Sequence, residues 1–138
     1  SSGTDNNVKE LPGQSLDQIQ TFVANIQHNR ETVAKQLTEY KQEGFTIVVW
    51  GMATKGVIFN LMVDPERKLI DYCIDINQSK QQQFIPGSGH QIQAPTILTS
   101  HKGKMVVVIM NLNYAEEIKK QLTKLEGTIF IDAHGKVI

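Results

Sequence analysis

The chain has 138 residues, 40% hydrophobic and 20% charged, and its 14 basic and 14 acidic side chains cancel to a formal net charge of +0. This size and balance suit one globular domain and argue against extended disorder, while the neutral charge excludes steering toward nucleic acid or an anionic membrane surface. Cys73 is the single cysteine, so no internal disulfide is possible, and no apolar run reaches the ~20 residues of a membrane span. A soluble protein of a reducing cytoplasm is expected.

Residues 1–14 are polar and read as a flexible arm or cloning remnant, leaving 15–138 as the domain. Ser15 with Gln18 has the spacing of a capping box, in which two otherwise orphaned amides are satisfied at a helix start. Leu16, Ile19, Phe22, Val23, Ile26, Val33, Leu37 and Tyr40 then form one apolar stripe up to a stop at Gly44. One long helix is predicted, or two shorter ones with a bend at His28-Asn29-Arg30.

Phe45 to Trp50 is a continuous β-branched and aromatic run, the pattern of a strand covered on both faces. The turn Gly51-Met52-Ala53-Thr54-Lys55-Gly56 follows, then helical spacing at Val57, Ile58, Leu61 and Met62 until Asp64-Pro65. Leu69 to Ile74 is the predicted second strand, closing at Asp75. Asn77 to Gly89, with Pro86-Gly87-Ser88-Gly89, reads as a long loop with a sharp turn.

Gln91 to Ala94 is a candidate short strand, and Pro95-Thr96 opens a helical turn ending near Ser100. Met105 to Met110 is a buried strand, Tyr114 to Leu125 an amphipathic helix, and Thr128 to Ile131 a last strand after the Gly127 stop. This alternation predicts an α/β, Rossmann-like domain of three layers, with a mostly parallel sheet of about five strands behind a long N-terminal helix. Any ligand crevice belongs at the carboxyl ends of the strands.

Gly51 lets the backbone turn tightly where a helix N-terminus presents amides to anionic oxygens, and Gly56 supplies a close-packing position. Ala53 stands where a dinucleotide fingerprint has its second glycine, and a plain strand-to-helix turn needing small residues explains the same pattern. Asp75 ends a strand at the place where dinucleotide folds set an acid on a ribose hydroxyl, and an aspartate there also makes a simple turn former. Lys55 and Lys80 are candidates for neutralising a diphosphate, beside the reading of each as a solvated surface lysine.

His28, His90, His101 and His134 lack metal-ligand spacing, and no serine or cysteine sits in a nucleophile elbow. Glu116-Glu117 suits the positive end of a helix dipole. Cys73, inside an apolar strand, reads as a small buried hydrophobe.

Four stretches in this order, Val48-Val49-Trp50-Gly51-Met52-Ala53-Thr54-Lys55-Gly56, Asp75-Ile76-Asn77-Gln78-Ser79-Lys80-Gln81, Phe84-Ile85-Pro86-Gly87-Ser88 and Ile109-Met110-Asn111 running on to Glu117-Ile118, form a distinctive series. Over Ser15 to Ile131 the chain resembles the Rossmann-like C-terminal domain of the sugar C-methyltransferases. The resemblance implies a nucleotide-sugar crevice around Gly51, Lys55, Gly56, Asp75, Lys80, Pro86, Gly87 and Asn111. It also implies that this domain is not catalytic alone and has no cofactor of its own. Zinc and S-adenosylmethionine would belong to an upstream zinc-binding region and an upstream methyltransferase domain, its partner. Gln83 in place of glycine, Met110 in place of tryptophan and Ala133-His134-Gly135 in place of a proline-containing ending depart from the family pattern near the crevice and bear on which sugar is bound. The alternative is a stand-alone nucleotide- or NAD-binding regulatory module.

Overall fold

The computed structural model describes residues 15–138, so the arm expected over 1–14 lies outside the described residues. Helix α1 spans Leu16–Gln42 without a break, which decides for one long helix over two. Its start is the capping box: the Gln18 amide donates to Ser15 Oγ at 3.1 Å, and the Ser15 amide donates to Gln18 Oε1 at 2.9 Å. Ser15→Ala is expected to cost about 1 kcal/mol. Hydrogen exchange should rise first at the Gln18 amide, because the helix is anchored to the core only from Phe22 onward.

The remaining order is β1 (Thr46–Trp50), α2 (Thr54–Val63), β2 (Tyr72–Ile74), β3 (Ile92–Gln93), a 3-10 turn at Pro95–Leu98, β4 (Met105–Ile109), a 3-10 turn at Leu112–Tyr114, α3 (Ala115–Gln121) and β5 (Thr128–Ile131). The five strands form one sheet in the order β3-β2-β1-β4-β5, and every neighbouring pair is parallel. This is the expected α/β, Rossmann-like arrangement.

Period-two alternation along the central strands separates two apolar layers. Ile47 and Val49 of β1, with Val106 and Val108 of β4, join Phe22, Ile26, Val33 and Leu37 of α1 and Phe59 and Val63 of α2. Val48, Trp50, Val107 and Ile109 point the other way and join Leu98, Ile118 and Leu122. Both faces of the sheet are thus covered, which is why β1 and β4 read as unbroken hydrophobic runs.

The candidate strand Gln91 to Ala94 is reduced to Ile92–Gln93, and two longer elements are shorter than predicted because a side chain takes over the backbone. The second strand begins at Tyr72 rather than Leu69. The amides of Lys68, Leu69 and Ile70 donate to the Asp64 carboxylate at 2.7, 3.0 and 2.8 Å instead of joining a ladder. The helix predicted to reach Leu125 ends at Gln121, where the Thr123 hydroxyl donates to the carbonyls of Lys119 and Lys120 at 3.0 and 2.9 Å and favours isolated turns. No described helix is long and apolar enough to cross a membrane.

Candidate functional site

The chain runs outward from β1 to β2 and β3, then returns to the opposite side of β1 for β4 and β5. Strands adjacent to such a reversal splay their following loops apart, and the gap opens at their carboxyl ends. A cleft of about 260 Å³ lies there. Trp50, Gly51 and Ala53 follow from β1, Asp75 and Ile76 from β2, and Asn111 from β4. Its far wall is α3 with the turn before it, through Tyr114, Glu117, Ile118 and Gln121.

The turn after β1 is held in place by hydrogen bonds. Gly51 has φ +108°, a left-handed conformation costly for any side chain, and its amide donates to the Ile74 carbonyl at 2.7 Å. Asp75 is only 9% exposed; one carboxylate oxygen accepts from the Met52 amide at 2.8 Å and the other from the Asn77 amide at 2.8 Å. From the far side of the turn Lys80 Nζ donates to the Met52 carbonyl at 3.1 Å. Gln81 Nε2 donates to the Asp75 carbonyl at 2.9 Å. Two residues singled out for ligand binding therefore also shape the wall: Asp75 with both oxygens and Lys80 with its ammonium.

Of the eight candidates, Gly51, Asp75 and Asn111 line the cleft. Gly56 lies one helical turn behind it, packed against the Gly51 backbone. Lys55 points back to α1, with Nζ 5.5 Å from the centroid of the Phe22 ring. Lys80 reaches the turn from outside the cleft, and Pro86 and Gly87 belong to the loop that packs on Leu61 of α2. Among the described residues, the cleft is consequently lined by two carboxylates, Asp75 and Glu117, and by no lysine, arginine or histidine.

Sequence reasoning did not bring Trp50, Tyr114 and Glu117 into the site. Glu117 was explained by the helix dipole, and it does lie in the first turn of α3, but the same position aims it along the cleft wall. Its spacing from Asn111 across a helix start was the available signal.

Beneath the turn lies a buried cluster with no counterpart in the motifs. Asn60, fully buried, donates through Nδ2 to Cys73 Sγ at 2.9 Å and to Met52 Sδ at 3.5 Å, while its Oδ1 has no partner. Burial pushes the Cys73 thiol up to about 12, against the opposing pull of the Asn60 hydrogen bond, so this thiol behaves as a small hydrophobe.

A second buried group ties the long loop to the end of α2. Asp64 and His90 are each 3% exposed. An ionised carboxylate only accepts, so His90 Nε2 donates to Asp64 Oδ2 at 3.0 Å, and in the neutral ring Nδ1 accepts from the Ser88 hydroxyl at 2.7 Å. Burial opposes ionisation of Asp64, but His90 and the amides of Ile70, Lys68 and Leu69 together hold its carboxyl below the usual range. The contact order is that of a hydrolase triad. Ser88 is itself buried and lies outside the cleft, and the carboxylate is occupied by three amides, so the group serves to anchor the loop.

Among the described residues, no three His, Cys, Asp or Glu side chains come together as metal ligands. No curated protein matches the chain significantly. The family model of the C-methyltransferase C-terminal domain matches residues 8–133, nearly the whole chain, and with the Rossmann-like sheet and the cleft at its reversal point the chain belongs to that family.

Proposed function

We propose that this domain holds a nucleotide-linked sugar for an S-adenosylmethionine-dependent C-methyltransferase and does not catalyse methyl transfer alone. The observation that carries the reading is the cleft at the carboxyl ends of β1, β2 and β4 in a chain of this family. In parallel α/β sheets that position receives nucleotides. The α2 N-terminus beside Ala53 has no side-chain cap, so its amides are available to a diphosphate. Tyr114, exposed at the cleft mouth, offers aromatic surface to a base or a sugar ring.

The cleft supplies binding and orientation. Both Asp75 oxygens already hold amides, so this carboxylate shapes the wall, and the family resemblance puts proton abstraction and methyl donation elsewhere in the enzyme. Zinc and S-adenosylmethionine belong to the upstream domains of such an enzyme by the family resemblance.

Calorimetric titration with uridine and deoxythymidine diphosphates and their sugar conjugates tests the reading. Wild type is expected to bind the conjugates in the micromolar to millimolar range. Tyr114→Ala, which removes an exposed ring from the cleft mouth, should weaken binding by about tenfold. Absence of binding by wild type at millimolar ligand would overturn the proposal.

A further inference from the structure

Building on the nucleotide-sugar reading above, we infer that Glu117 is the specificity residue of the cleft: its carboxylate receives a hydroxyl or ammonium donor on the sugar ring and turns away sugars that carry a carboxylate. The two acidic groups in the cleft differ in what they have left to offer. Asp75 is buried and spends one oxygen on the Met52 amide and the other on the Asn77 amide. Glu117 is exposed on the cleft wall and has no hydrogen-bond or ion-pair partner among the described residues. Charge that is unspent and faces a concave surface is available to a ligand.

The layout assigns the sugar to this wall. A diphosphate facing the α2 amides beside Ala53 sits at the middle of the cleft. In dinucleotide folds the acid after the second strand marks the nucleoside side, here the side of Asp75 and Ile76. The opposite side is left for the sugar, and there the polar side chains are Asn111, Tyr114, Glu117 and Gln121. Asn111 Oδ1 already accepts from the Asn113 amide at 3.0 Å, which leaves its amide nitrogen as a donor. Glu117 is then the one charged acceptor on a wall that also carries the amide groups of Asn111 and Gln121, a match for neighbouring ring hydroxyls or for a hydroxyl beside an amine.

Lys55 and Lys80 do not offset this charge inside the cleft, since one lies over Phe22 and the other is bound to the Met52 carbonyl. A sugar carboxylate on this wall would meet Glu117 with no cation among the lining residues. Discrimination follows from repulsion and an unmet acceptor together, and amounts to about tenfold or more.

The test is a calorimetric comparison of uridine diphosphate glucose, uridine diphosphate glucosamine and uridine diphosphate glucuronate on wild type, Glu117→Gln and Glu117→Lys. Wild type should bind the glucose and glucosamine conjugates about tenfold or more tightly than the glucuronate conjugate. Glu117→Gln should bring the three affinities within about threefold, and Glu117→Lys should make the glucuronate conjugate the tightest. Thermal unfolding checks that the variants are folded, as expected for a surface substitution. Equal wild-type affinity for glucose and glucuronate conjugates, or a ratio unmoved by Glu117→Lys, overturns the selective role while leaving the nucleotide-sugar reading standing. Failure of all three ligands to bind wild type overturns both.

Discussion

Replacing Asp64 with asparagine is expected to lower the unfolding free energy by about 3 kcal/mol, although the two side chains are almost the same shape. The carboxylate of Asp64 accepts four hydrogen bonds, from the amides of Lys68, Leu69 and Ile70 and from His90 Nε2. Asparagine replaces one of its two acceptor oxygens by an amide group that only donates. Even with its oxygen kept on Leu69, Ile70 and His90, its amide group faces the partly buried Lys68 amide, donor against donor, from a side chain that is 3% exposed. The effect should spread along the loop, since His90, which holds Ser88, is bonded to Asp64, and the loop also carries Lys80 and Gln81, which brace the cleft wall.

Urea unfolding over a series of pH values separates the charge from the shape. The Asp64 carboxyl titrates below its ordinary value in the folded protein. It therefore adds stability that is fully present above the unfolded value of about 4 and is lost as pH falls through the lower folded value. The wild-type curve should drop steeply in that acid window, and the Asp64→Asn curve should be flatter there. Parallel curves would show that the carboxylate charge is not what holds the loop.

Most of the scaffold was legible from local pattern because its elements are locally determined. The run Thr46–Trp50 is buried from Ile47 onward, and covered parallel strands have no polar face to interrupt them. Ser15 and Gln18 announced their own helix because a capping box closes within four residues. The errors came where a side chain reached beyond that range. Asp64 captured the amides of Leu69 and Ile70, which the pattern of Leu69 to Ile74 had promised to a strand, together with that of Lys68, and its partner His90 lies 26 positions away.

The site shows the same division. Gly51 and Asn111 were readable because each lies at the end of a strand, Gly51 directly after β1 and Asn111 one residue beyond β4 and Met110, and the end of a central strand is where this fold opens. Which way a lysine turns is decided by neighbours distant in the chain. Lys55 follows the ring of Phe22 and Lys80 the carbonyl of Met52, so a motif containing both could not show that neither lines the cleft. Met110, standing in place of the family tryptophan, is the residue that a side chain at Gly51 would touch first, at 3.4 Å from its Cβ. That departure therefore sits against the cleft wall itself.

Gly56→Ala is expected to reverse the usual ranking of these residues in a helix. Gly56 lies in the first turn of α2, where alanine is ordinarily favoured by up to about 1 kcal/mol. A Cβ at this position overlaps the carbonyl oxygen of Gly51 and comes within 2.9 Å of its carbonyl carbon. The obstacle is backbone, and that backbone is fixed by the Ile74 carbonyl on one side and by the braced Met52 on the other. It cannot swing aside as a side chain would, so the overpacking cost belongs at or above the top of the ~1–3 kcal/mol range and outweighs the propensity gain. A net loss of about 2 kcal/mol or more should appear in urea unfolding. Ligand affinity should fall in the protein that remains folded, because relief of the overlap displaces Gly51, a residue of the cleft wall. A variant more stable than wild type, with unchanged affinity, would mean that the turn yields freely and that Gly56 is present for helix geometry alone.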